Sequence, residues 1–306
     1  WFLLLANDMD VPAEVAIAAI KAYQDAPSAK NYEAMTAAVE PARLQLIRRL
    51  NQTHDATAKL VAMREDLIRF LPEHPDLGKL NVNFKHLFAS WFNRGFLVLR
   101  PINWSSPAHI LEKIITYESV HEIENWDDLR RRLQPDDRRC FAFFHPAMPD
   151  EPLIFVEVAL TKGTPNSIQS VLLENRDAMA AEKADTAAFY SISNCQAGLA
   201  GISFGNSLIK TVVQHLLREL PQIRNFVTLS PIPGLVKWLR ETGNFDADAT
   251  AETHMQLAAH YLLNAKHHNG QPRDPVARFH LNNGALVGAV HANADKSKNG
   301  MAQSCG

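Results

Sequence analysis

Residues 224–238 read RNFVTLSPIPGLVKW. Phe226, Val227, Thr228 and Leu229 form a β-branched and aromatic run, which predicts a short strand. Pro231, Pro233 and Gly234 follow Ser230 at once, and then an apolar helical pattern begins. Proline has no amide hydrogen and fixes φ, so neither proline can lie inside a central strand. Ser230 therefore ends a strand at a stiff turn. Ligands of open α/β sheets collect at the carboxyl ends of strands, which makes Ser230 a candidate site residue. On this segment alone the plainer reading is favoured, a serine that caps the following helix.

Residues 186–210 read TAAFYSISNCQAGLAGISFGNSLIK. A strand-like run over 187–193 leads into a small-residue loop with Gly198, Gly201 and Gly205, then an amphipathic helix to about Leu220. Glycines at a strand-to-helix junction let backbone amides approach a phosphate, and the helix N-terminus adds a favourable dipole. No Lys-Ser pair follows, so this is not a nucleotide-triphosphate loop, and the spacing does not fit a dinucleotide fingerprint. Gly201-x-Ser203-x-Gly205-x-x-Leu208 resembles the loop that holds the coenzyme A diphosphate in GNAT acyltransferases. A third stretch, DPVARFHLNNGA over 274–285, places His280 in what reads as a short extended run before an Asn-Gly turn. It is one of 13 histidines, and by residue type alone a lone histidine is more often a structural hydrogen-bonder than a catalyst.

The chain divides near residues 88–95. Before that point the pattern is helical over 13–23, 32–38, 41–52, 56–70 and 77–92. Leu44, Ile47 and Leu50, then Leu60, Met63 and Leu67, recur at helical steps. No glycine precedes Gly78. Arg43, Arg48, Arg49, Arg64 and Arg69 are expected on solvated faces, in a bundle (1–92) without chemistry of its own. From 93 to 306 strands and helices alternate, with strands near 96–99, 140–144, 153–160, 187–193 and 226–229 and a helical insertion at about 242–275. The expected class is α+β, a helical bundle followed by a mixed sheet flanked by helices.

Composition is that of an ordinary globular chain: 306 residues, 21% charged and 46% hydrophobic. With 31 basic and 33 acidic residues the formal charge is −2, so no global attraction to nucleic acid or an anionic membrane is expected. Cys140, Cys195 and Cys305 are too few and too scattered for a disulfide scaffold. The histidines at 254, 260, 267 and 268 lack a ligand pattern, so no metal is expected. The opening WFLLLA is too short for a membrane span and lacks the basic start of a signal peptide. A cytoplasmic location is expected. The chain lacks an initiator methionine and reads as beginning and ending mid-sequence, so any targeting signal beyond its ends is invisible.

Taken together, FYSIS at 189–193, QAGLAGISFGNSLIK at 196–210, LSPIPGLVKWL at 229–239 and FHLNNGA at 279–285 closely resemble malonyl-CoA decarboxylases. GFLVLRPINWSSPAHILEKI at 95–114 and EPLIFVEVALT at 151–161 extend the match. The resemblance covers roughly 88–306, with a weaker helical match before it. It implies a GNAT-like catalytic domain in which the strands ending near Ser193 and Ser230 separate to admit the acyl-pantetheine. It implies decarboxylation of malonyl-CoA to acetyl-CoA without metal or organic cofactor, with Ser230 and His280 as catalytic pair. Ala200, Gly201, Ile202, Ser203, Phe204, Gly205 and Asn206 would bind the diphosphate and pantetheine. It further implies a homotetramer built as a pair of dimers. Ser203 stands where some relatives carry glutamate, so no carboxylate role transfers there. The family also continues past Gly306 into a tyrosine-containing segment near the active site. An acyl-CoA-dependent acyltransferase and a non-catalytic malonyl-CoA sensor are the competing readings. The first needs a second site for an acceptor, and the second needs binding without turnover.

Overall fold

A computed structural model describes residues 1–202 and 205–306, and of residues 205–207 the backbone alone. The chain packs as two compact units. One contains Trp1–Val98, Phe144–Leu153 and Gln196–Phe204; the other contains Leu99–Phe143, Ile154–Cys195 and Gly205–Gly306.

The first unit is built on α1 (Phe2–Asn7), α2 (Ala13–Asp25), α3 (Ala29–Ala38), α4 (Ala42–Leu50), α5 (Ala56–Phe70) and α6 (Gly78–Trp91). Leu44, Ile47, Leu60, Leu67, Leu80, Phe84 and Phe88 are buried in it. The apolar chain start is only partly exposed: Leu5 and Ala6 are buried, whereas Trp1, Leu3 and Leu4 are not. Two of the five arginines expected in solvent are buried instead, Arg43 at 3% and Arg64 at 2% exposure. Arg43 pairs with Asp10 at 2.8 Å and donates to Asn83 Oδ1 and the carbonyl of Ala6. Arg64 lies four residues after Leu60 and three before Leu67, so helical phase puts it on the apolar stripe. A buried guanidinium must find acceptors, and both do.

The second unit carries most of a five-stranded sheet. Its order is β1 (Val98–Ile102), β2 (Arg138–His145), β3 (Met148–Thr161), β4 (Thr186–Asn194) and β5 (Asn225–Thr228). Helices α7 (Ala108–Tyr117), α8 (Trp126–Leu133), α9 (Ile168–Leu172) and α10 (Gly205–Glu219) alternate with the strands. After β5 come α11 (Leu235–Glu241), α12 (Ala251–Asn264), α13 (Pro275–Asn282) and α14 (Lys298–Ser304). The architecture is α+β with a mixed sheet, since β3 pairs antiparallel with β4 and β4 pairs parallel with β5. β4 is buried along most of its length, with Ala187, Ala188, Phe189 and Tyr190 as its apolar centre and Thr186, Ser191 and Ser193 as buried polar residues. Among the described residues, no helix is long and apolar enough to cross a membrane.

Buried charge is concentrated around α8 and β3. Arg132 donates to Asp128 at 3.2 and 3.0 Å, to Glu157 Oε2 at 3.3 Å, and to the carbonyls of His121 and Glu122 at 2.8 and 2.9 Å. The sheet register slips beside Glu157: Glu157 faces Ser191 but Val158 faces Phe189, so Tyr190 is the extra residue of a bulge. Burial, reinforced by the negative charge of Glu118, outweighs Arg132 and raises the Glu157 carboxyl from its ordinary 4.5 to about 8. The folded state thus holds a proton that the unfolded state releases above pH 4.5. The resulting stabilisation is complete at low pH and is lost as pH rises through about 8. Glu157→Gln removes this dependence, so the melting temperature of the variant should gain on the wild type as pH rises from about 5 to 9. A difference that stays constant across the range would contradict the raised value.

Candidate active site

The parallel ladder between β4 and β5 runs from Thr186 opposite Asn225 to Phe189 opposite Thr228. One further bond follows, from the Leu229 amide to the Phe189 carbonyl at 2.9 Å. Beyond it β4 continues to Asn194 without β5 beside it. Ser230 stands where this pairing stops, exposed and outside any helix. It does not cap α11: the N-cap position there is Gly234, with no side-chain cap. Instead, Ser230 Oγ lies 3.1 Å from His280 Nε2. Both residues are candidates by sequence, 50 positions apart, and the structure brings them within hydrogen-bond distance.

His280 does not lie on an extended run. It occupies the last turn of α13, and the expected extended segment is corrected to a helix. Asp274 supplies the start signal, since its Oδ1 accepts from the amides of Val276 and Ala277, both at 2.9 Å, and Pro275 follows at the first helical position. The Asn-Gly pair supplies the stop: Asn283 and Ala285 amides donate to the His280 carbonyl, and Gly284 has φ +87°. A glycine just past a helix end adopts this left-handed conformation without Cβ strain. Desolvation of the half-buried His280 ring lowers its pKa from the ordinary 6.5 and so favours the neutral imidazole.

Asp274 was not singled out by its sequence, and it connects the two halves of the pair. Buried to 1% exposure, it accepts from the Gly234 amide through Oδ2 at 3.2 Å while capping α13 through Oδ1. The Pro-Ile-Pro-Gly turn after Ser230 and the helix bearing His280 thereby share one carboxylate. Gly234 itself admits no side chain, because a Cβ there would lie 2.1 Å from the Tyr261 hydroxyl. An Asp-Pro pair ahead of an apolar run is a readable cap signal; the bond to Gly234 is not. Asp274→Ala should lower kcat about tenfold while KM changes little, together with a stability loss of about 1 kcal/mol from the missing cap. Steady-state kinetics with an unfolding curve checks this, and unchanged kcat would remove Asp274 from the site.

In the first unit, the loop after β4 forms a short 3-10 turn over Ala197–Leu199. Leu199, Ala200 and Ile202 donate their amides to Gln196, Ala197 and Leu199 carbonyls, so Ala200 and Ile202 have no free N–H to offer a ligand. Gly201, at φ +76°, has no amide partner among the described residues. The loop lies tight against α5: a Cβ on Gly198 would fall 1.9 Å from the Val61 carbonyl oxygen. Arg64 donates to the carbonyls of Gly198 and Ala200 at 2.6 and 2.8 Å. Of the other residues expected to bind the diphosphate, Ser203 and Phe204 lie outside the described residues, and Gly205 and Asn206 open α10. In the second unit, the end of β4 is tied down by Glu118, which accepts from Ser191 Oγ at 2.8 and 2.7 Å.

Family models settle the ancestry of the whole chain. The malonyl-CoA decarboxylase N-terminal domain matches residues 11–92, and the C-terminal domain of the same family matches 95–254 and 243–306. The chain belongs to the malonyl-CoA decarboxylase family. A crystal structure of malonyl-CoA decarboxylase from Rhodopseudomonas palustris is 51% identical, with a TM-score of 0.90 over 99% of this chain and 80% of that one. The one from Agrobacterium vitis is 47% identical, with a TM-score of 0.91 over the same shares. The mitochondrial malonyl-CoA decarboxylase of Anser anser anser is 38% identical over 85% of this chain. The chain spans 62% of that protein's length, less than two thirds. Ser230, His280 and the described part of the glycine loop fall within the segments matched by the malonyl-CoA decarboxylase C-terminal domain.

Proposed function

We propose that this chain decarboxylates malonyl-CoA to acetyl-CoA and CO2, with Ser230 and His280 acting on the malonyl group. The observation that carries the reading is the 3.1 Å contact between these side chains at the open end of β5, in a chain of this family. Breaking the bond between C2 and the carboxylate sends its electron pair into the thioester, forming an enolate with the charge on its oxygen; CO2 leaves. A proton then adds to C2. The thioester is the electron sink, so the chemistry requires no metal or organic cofactor. Donors aimed at the enolate oxygen lower the barrier. His280 supplies the proton to C2, directly or through Ser230, whose hydroxyl both donates and accepts. The residues from Ala200 to Asn206 hold the diphosphate and pantetheine, mainly through backbone amides such as that of Gly201. Residues 93–306 form the catalytic domain and 1–92 the oligomerisation domain.

Incubation with malonyl-CoA alone tests this. Release of CO2 with stoichiometric acetyl-CoA is expected. Turnover only on addition of an amine or alcohol acceptor would establish an acyltransferase instead, and binding without turnover a sensor.

The oligomer belongs to the same proposal. No residue of α2 or α3 is buried, and Val15, Ile17, Ile20, Tyr32 and Val39 are exposed on or beside them. An apolar surface of this kind marks an interface, and closed symmetric assembly is the default for soluble enzymes. We expect a homotetramer, a dimer of dimers, that is lost when the chain is truncated to begin near Asn93. Light scattering decides; a monomeric intact protein at micromolar concentration, or a truncated one that keeps the assembly, would refute it.

A further inference from the structure

Arg64 is a buried, charged side chain on a helix expected to have no chemistry, and its guanidinium faces the glycine loop. Nη1 donates to the Gly198 carbonyl and Nη2 to the Ala200 carbonyl, while Nε is held by Asn81 Oδ1 at 3.0 Å. These two carbonyls are 134 and 136 positions away in sequence. The bond to Ala200 has a directional consequence. The C=O and N–H of one trans peptide point in opposite directions, so turning the Ala200 carbonyl onto Arg64 turns the Gly201 N–H away from it. That amide has no partner among the described residues. The positive charge behind the carbonyl also polarises the peptide and strengthens its N–H as a donor. Lys85 of α6 lies beside the same residue: its Nζ would be 3.4 Å from a Cβ built on Gly201. Lys85 is exposed and has no carboxylate partner among the described residues.

We propose that the helical unit takes part in recognising an organic diphosphate: Arg64 is a positioning residue that aims the Gly201 amide, and Lys85 is a direct ligand of the diphosphate. This rests on the reading of the loop as the coenzyme A cradle. An ammonium beside a free amide at a left-handed glycine is a minimal anion site, and the forked guanidinium is suited to hold two carbonyls at once where an ammonium could hold one.

The test compares malonyl-CoA with malonyl-pantetheine, which carries the same reacting group but no diphosphate. The quantity read is the ratio of kcat/KM for the two substrates in wild type, Lys85→Met, Lys85→Arg, Arg64→Met and Arg64→Lys. The ratio should fall about tenfold or more in K85M, the effect of one charge-assisted hydrogen bond, and should return towards wild type in K85R. It should fall in R64M and be only partly restored in R64K. The loss should appear in KM for malonyl-CoA and not in its kcat. Lys85 is exposed, so K85M keeps the test decisive even if R64M does not fold. A wild-type ratio in K85M, or an equal loss on both substrates in a folded R64M, overturns the proposal. Calorimetry separates it from the catalytic reading. If the wild type binds coenzyme A without turning over malonyl-CoA, only the decarboxylase reading fails. The ratio of coenzyme A to pantetheine affinity in the same variants then decides the inference by the same criteria.

Discussion

His280→Ala is expected to lose about 10²–10⁴-fold in kcat, the range for removing a general acid, while the protein stays folded and still binds coenzyme A. The ring lies in the last turn of α13, half-buried, and alanine is compatible with a helix there. Ser230→Ala should lose about tenfold or more through the missing hydrogen bond. The double variant should be little worse than H280A, because residues acting as a unit are not additive. The pH profile carries the sign. Desolvation lowers the His280 pKa below 6.5 in the free protein. With protonated His280 as the acid, kcat/KM falls as pH rises through that lowered value. In the complex the malonyl carboxylate favours the imidazolium, so kcat should hold to higher pH than kcat/KM. Near wild-type turnover in H280A would end the assignment, and so would a kcat/KM profile that is flat across the histidine range.

Arg132→Met should cost about 3–5 kcal/mol of unfolding free energy, the usual consequence of removing one partner from a buried ionic cluster. Methionine fills much of the volume but supplies no donors. The Asp128 carboxylate, two backbone carbonyls and Glu157 would each lose a partner in the interior. The loss should spread along the sheet, because Glu157 faces Ser191 across the bulge and Ser191 is bound to Glu118. Denaturant unfolding of the two proteins at neutral pH measures it. A loss below about 1 kcal/mol would mean that water replaces the arginine and that the cluster is not a closed network.

Much of this molecule is legible locally. The helix over 56–70 follows from periodicity, and Ser230 at a strand end follows from what two prolines forbid. His280 was misread because Phe279-His280-Leu281 before Asn-Gly suits a hairpin as well as a helix stop. Asp274 and Pro275 resolve the ambiguity, and both were visible. Arg64 was assigned to solvent by residue type, although its spacing from Leu60 and Leu67 places it on the buried stripe. In both places the helical phase was in the sequence and the residue type masked it.

The sequence by itself therefore determined the order of the elements up to α11, the turn that exposes Ser230, and the motifs that mark the family. Only the tertiary structure decided that Ser230 meets His280, that one buried aspartate serves the chain segments bearing both, and that α5 holds the carbonyls of the glycine loop. The physical reason is range. Propensity, capping and steric exclusion act over a few residues and are written in neighbouring positions. His280 lies 50 positions from Ser230, and the loop carbonyls that Arg64 holds lie 134 and 136 positions from it; such partners are found only when the chain has packed.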